Sequence, residues 1–385
     1  MGFAFPQKYI VPIGFALEYR EIAYLLLPII NLFIKSENRA IVNPVRIKRI
    51  RRIVYIYLIS ILITEFLLKQ VIFNQSFFDS VKCIRYGLPL FTGLILFAQG
   101  LRVSVDLLWR TFLFAVVTSV VLSFINLLYP LPFSITPNDE KVKAVFTGRI
   151  GNLNFSFGLI GLYLLFQKRN EPTLYSGLAM RTSIASVVAL IISFNRTYLA
   201  ILLLEFGYFL LKRFSLKNVL KVTIATSIVV AVLFFFYENN ERLQNQLDKR
   251  IFLILDGEVS LVESTIENNR DYIFEGVYER ISEGYWVLGL PYSIPIFIRQ
   301  ARYDKDEMYM SKTDTSLANH LLRHGIFPFL LLSYIFFVLL KFKIHIFNFI
   351  FTLYLLASLN IDALYSHNSV FFVLFVFMIS THSRK

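Results

Sequence analysis

Four short polar segments, each set against apolar sequence, hold the residue types that could do chemistry. The first, Phe146–Asn154, places Arg149, Asn152 and Asn154 beside Gly148 and Gly151, which permit tight turns. Its donors suit a polar group at a membrane surface, or they form a plain polar turn with an interfacial arginine. The second, Ser193–Thr197, carries Arg196 between two apolar runs, where a charge must be solvated or paired. Its planar fork matches phosphate oxygens; alternatively it snorkels at a tight turn. The third, Asn268–Phe274, carries Arg270 in mixed-charge surroundings that also suit a solvated surface residue. The fourth, Thr313–Ile326, holds Asp314, His320 and His324. Asp314 can act as a base towards a hydroxyl or, like Thr313, cap the helix that follows. The two histidines are four apart and share one helical face. No third ligand is evident beside them, so no metal or cofactor is expected; they line a polar mouth or pair with carboxylates.

Composition says what kind of scaffold must position these segments. The 385 residues are 56% hydrophobic and 17% charged, with mean hydropathy +0.60, against about 25% charged in a soluble domain. So much apolar surface exceeds what a globular core of this size can hide. The prediction is an all-α polytopic membrane protein. Apolar runs near 22–34, 53–73, 81–101, 107–129, 152–167, 182–195, 197–211, 221–237, 317–340, 346–361 and 368–380 give about eleven transmembrane helices, within a range of 10 to 12. The first is short, and residues 1–21 form a re-entrant piece or part of another helix. Eleven spans put the N-terminus outside, twelve inside. The start does not read as a cleavable signal peptide: it has no basic leader, and Glu18, Arg20 and Glu21 interrupt its apolar run.

Charge orients these spans. Lys35–Arg52, then Lys168, Arg169 and Arg181, then Lys212, Arg213, Lys217 and Lys221, then Lys341 and Lys343, then Arg384 and Lys385 fall on alternate connections, the pattern of cytoplasmic loops. The net charge of +13 therefore reads as topology and contact with anionic membrane lipids, not as nucleic-acid binding. The opposite side carries one long connection, 238–316, with 15 of the 26 acidic residues. Long loops on compact scaffolds are commonly functional. The expected organisation is a bundle over 1–237, an extracytoplasmic loop over 238–316 and C-terminal helices over 317–385. All four polar segments then face the outside. The lone Cys83 excludes a disulfide framework. No phosphate-binding glycine loop or His/Glu zinc signature is present, which leaves an ATP-driven pump or zinc protease without support.

In order and spacing, the four segments resemble the O-antigen polymerase and O-antigen ligase superfamily of bacterial envelope enzymes. Phe146–Asn154 looks like its glycine- and asparagine-rich lead into a middle span, and Ser193–Leu204 is similar to its Ser-x-x-Arg-Thr followed by an apolar helix. Arg270 and Gly289 resemble the arginine and glycine of its large loop, and Asp314–Gly325 the segment closing that loop. The likeness covers about residues 146–340; the earlier spans resemble the family in topology alone. Ligases commonly begin the closing segment with His-Asn, whereas Asp314 and Thr315 stand here, which favours the Wzy-type polymerase branch.

The resemblance implies a GT-C-like, metal-independent glycosyltransferase in the bacterial cytoplasmic (inner) membrane, its site facing the periplasm. Its substrates would be undecaprenyl-pyrophosphate-linked oligosaccharides, and its partners a chain-length regulator and a flippase. Arg196 and Arg270, with Arg149 less central, would stabilise the pyrophosphate leaving group. Asp314 would deprotonate the acceptor hydroxyl, with His320 or His324 as alternatives. Three other readings stay open: a ligase acting on a lipid A-core or another acceptor, a polysaccharide flippase or other transporter, although no internal repeat of the transporter kind is evident, and a purely structural membrane subunit.

Overall fold

The computed structural model describes residues 9–12, 16–33, 44–100, 270–300, 307–310, 313 and 315–340, with isolated positions elsewhere. The described chain is mostly helical. Two helices within it are long and apolar enough to cross a membrane, Lys48–Phe73 and Phe77–Gln99, and Glu21–Phe33 and Ile326–Val338 are shorter apolar helices. At 1.5 Å per residue the 26 residues of Lys48–Phe73 extend about 39 Å. The runs predicted near 53–73 and 81–101 thus each fall on one of the two long helices. Apart from isolated positions, the spans predicted near 107–129, 152–167, 182–195, 197–211, 221–237, 346–361 and 368–380 lie outside the described residues.

The chain forms two compact units, one centred on Trp109–Ser264 and the other made of Gln7–Leu108 and Thr265–Lys385. In the first, Tyr237 donates to Asp248 at 2.8 Å and its ring stacks on Phe234.

The second unit begins with a two-stranded antiparallel sheet, β1 (Tyr9–Pro12) and β2 (Ala16–Glu18), that leads into α1 (Tyr19–Phe33). Then come α2 (Pro44–Ile63), a π-helical turn (Thr64–Leu68) and α3 (Lys69–Phe73), which together make the first long helix. Asn74 ends it in the left-handed region, at φ 52°, a conformation that asparagine tolerates. Ser76 opens α4 (Phe77–Gln99): its hydroxyl accepts from the Asp79 N–H at 3.1 Å, and Asp79 Oδ2 accepts from that hydroxyl at 2.8 Å. This Ser-x-x-Asp cap starts the second long helix.

Polar ties register α1 on α4. Glu21 pairs with Arg85, Thr92 donates to the Tyr24 carbonyl at 3.1 Å, and Asn31 donates to Gln99 at 3.0 Å. The partners advance together, so α1 and α4 run parallel. The short turn at 74–76 makes α2 antiparallel to both. Leu25, Ile29, Phe33, Ile56, Ile59, Val71 and Leu330 remain exposed, as in helices that face an apolar medium.

The described part of the acidic loop is ordered around a small core. Helix α5 (Arg270–Ser282) packs on the hairpin of β3 (Phe297–Gln300) and β4 (Glu307–Met310), in which Phe297 faces Met310. Ile273, Leu290, Ile296, Phe297 and Leu322 are buried together. The apolar run predicts one span over 317–340. The structure divides it into α6 (Ser316–His324) and α7 (Ile326–Leu340), separated by Gly325 at φ +83°. That conformation suits glycine and stops a helix.

Candidate functional site

A cluster of the polar residues buried in the second unit stands where α6 meets the long first helix. Two of the eight predicted site residues, His320 and His324, have described side chains, and both stand there. The structure buries them and separates their roles. His324 Nδ1 lies 2.8 Å from Glu65 Oε1. His320 Nδ1 is 2.5 Å from the Tyr365 hydroxyl, and its Nε2 is 3.4 Å from the Tyr57 hydroxyl. The two rings are 5.0 Å apart between centroids. Of the two bland expectations, pairing with a carboxylate describes His324. Among the described residues no group of three or more His, Cys, Asp and Glu is placed to hold a metal ion.

Glu65 is the hub, and its backbone explains its reach. It sits in the π turn, where the Lys69 N–H bonds to the Thr64 carbonyl five residues back. The Glu65 carbonyl is met from outside the helix by the Ser80 hydroxyl at 2.6 Å. Such π turns inside α-helices recur at functional sites. Lys69 Nζ donates to Glu65 Oε1 at 2.7 Å and also to the Arg323 carbonyl. Gln75 Nε2 donates to Glu65 Oε2 at 3.3 Å and to Ser80 at 2.9 Å, while its Oε1 accepts from the Tyr292 N–H at 2.9 Å. Both charged side chains of the Glu65–Lys69 pair are 0% exposed. An ion pair so desolvated persists only with further hydrogen bonds to support it, and here the Arg323 carbonyl, Gln75 and His324 supply them.

Glu65 and Lys69 escape a hydropathy reading because the apolar run Ile53–Phe73 absorbs them. The signal that identifies them is an acid and a base four residues apart inside a spanning-length helix. Glu65 lies eight residues before Phe73, about 12 Å from that end of the helix.

The loop locks onto the same place. Arg323, 2% exposed, donates to the Pro291 carbonyl at 2.8 Å and the Ile294 carbonyl at 3.3 Å. The Leu290 N–H donates to the Leu322 carbonyl at 2.5 Å, and the Ile326 N–H to the Val287 carbonyl at 3.3 Å. The Tyr292 ring stacks on Tyr86 and lies 4.9 Å from Lys82 Nζ. His320 meets Tyr57, His324 meets Glu65 further along the long helix, and Arg49 on α2 then donates to Tyr334 on α7 at 3.0 Å. The chain therefore turns back along that helix at Gly325, which explains why 317–340 is not one span.

The start of α6 departs from the predicted cap. Thr315 holds the cap position and makes no side-chain cap bond. Thr313 and Asn319 instead close a local ring: Asn319 Oδ1 accepts from the Thr313 N–H at 2.7 Å, and Asn319 Nδ2 donates to the Thr313 carbonyl at 2.7 Å. Thr313 is thus tied to the helix through its backbone. Arg270 is the first residue of α5, but its side chain lies outside the described residues, as do Arg149, Asn152, Asn154, Arg196 and Asp314. Compared with protein-family models, curated proteins and solved structures, the chain matches none.

Proposed function

We propose that this chain is a multi-pass membrane glycosyltransferase with a GT-C-like bundle. It would polymerise polysaccharide repeat units carried on undecaprenyl pyrophosphate, at the outer face of a bacterial cytoplasmic membrane. The reading rests on the order of its motifs. The observation that supports it in the structure is that His324, from the segment closing the loop, is buried against Glu65, the partner of Lys69, with His320 beside it on Tyr57 and Tyr365. Buried ionisable residues inside a membrane span mark functional sites. The cluster lies towards the end of the long helix where the loop residues 285–294 dock, the outer end by the charge rule.

The chemistry asks for three things. The acceptor hydroxyl forms a bond to the anomeric carbon, and the bond from that carbon to the pyrophosphate oxygen breaks, its electron pair leaving with the lipid pyrophosphate. Arg196 and Arg270 would stabilise that developing charge, with Arg149, Asn152 and Asn154 on the substrate. A base, Asp314 or a histidine of α6, takes the hydroxyl proton. The loop over 238–316 would cover the glycans.

A second reading, a polysaccharide carrier, is favoured by the buried Glu65–Lys69 pair, since carriers keep coupling charges inside their spans. Reconstitution of the purified chain in liposomes with lipid-linked repeats separates the two. New glycosidic bonds support the enzyme; translocation without bond formation supports the carrier. A ligase would differ by gene loss, which leaves long unligated polymer, whereas loss of a polymerase leaves single-repeat capping.

A further inference from the structure

Glu65 Oε1 serves two partners at once, Lys69 Nζ at 2.7 Å and His324 Nδ1 at 2.8 Å. An oxygen that already accepts from an ammonium presents a lone pair to the imidazole, so Nδ1 carries the proton and Nε2 is the acceptor of the ring. Lys69 is anchored a second time on the Arg323 carbonyl, and Gln75 holds Oε2. The carboxylate is therefore fixed from three sides, in a site where His324, Glu65 and Lys69 are all buried.

We infer that Glu65, braced by Lys69, is a positioning residue that keeps the proton of His324 on Nδ1 and so makes its Nε2 the proton acceptor in glycosyl transfer. The inference rests on the polymerase reading above. As the acceptor oxygen bonds to the anomeric carbon and the lipid pyrophosphate departs with the electron pair, the hydroxyl proton passes to Nε2. The imidazolium so formed is held by Glu65. Asp314 is then left to bind substrate, not to deprotonate.

The competing account is that the pair only holds the fold, and one double substitution distinguishes the two. Glu65→Gln alone strands a buried ammonium and should lower both Tm and kcat. Glu65→Gln/Lys69→Met removes both charges, which commonly restores stability. Positioning predicts that Tm recovers while kcat for chain extension stays down, on the order of 100-fold, with KM held. Glu65→Asp should regain part of kcat. The 15N spectrum of histidine-labelled protein, assigned by difference with His324→Gln, should show the Nδ1–H tautomer in the wild type and lose it in the double variant. Wild-type kcat in the double variant, or a His324 spectrum that is the same in both, overturns the inference. If the double variant does not regain its Tm, the wild-type spectrum decides, and a proton on Nε2 overturns it. A wild type that makes no polymer overturns the polymerase reading instead, and the tautomer then tests Glu65 alone.

Discussion

Gly289 and Gly325 pack backbone against backbone, each in the left-handed half of φ space, at +88° and +83°. A Cβ on Gly325 would stand 2.7 Å from the Val287 carbonyl oxygen and 3.0 Å from the Gly289 nitrogen, and one on Gly289 would meet the Arg323 carbonyl. These are the glycines of two separate motifs, and the contact joins the loop to α6. Gly325→Ala therefore suffers both a clash and an unfavourable φ. It should lose about 1–3 kcal/mol from backbone strain alone, read as a lower Tm in detergent. A Tm equal to wild type would remove the joint from the account.

Gln75 makes a second prediction because its amide faces both ways. It donates to Glu65 and Ser80 and accepts from the Tyr292 N–H. Gln75→Glu keeps the shape, removes the donor and sets a second carboxylate beside Glu65. It should destabilise by about 1–3 kcal/mol. Adding Glu65→Gln should recover part of that loss, since contacting residues couple. Simple additivity in chemical unfolding of the single and double variants would contradict the contact.

Part of the described fold and the two histidines of the site could be read from the sequence, for physical reasons that differ by residue. The two long helices follow from apolar runs, and the cap between them from Ser76 and Asp79, whose spacing closes the bond locally. The pairing of His324 with a carboxylate was foreseeable in kind, but Glu65 lies 259 residues away and no local spacing encodes that partner. The split at Gly325 had a local signal, His324 and Gly325 together forming a helix stop. The continuous apolar run after it outweighed that signal. The hairpin at 297–310 had none in its hydrophobic period, because it is stabilised by packing on α5.

The arginines supply a third prediction. Arg196→Ala and Arg270→Ala should each abolish chain extension, leave membrane insertion intact and let lipid-linked single repeats accumulate. Gel analysis of glycans from cells carrying each variant reads this directly. Wild-type polymer length in both would remove them from the site.

The most direct test of the central claim, that the α6 histidines belong to a glycan-polymerising site, is chain extension in liposomes. Wild type and His324→Gln would be compared at equal folded fraction, each with purified lipid-linked repeats. The account predicts a ladder of extended products from the wild type and unextended single repeats from His324→Gln. Ladders of the same rate and length from both proteins would contradict it.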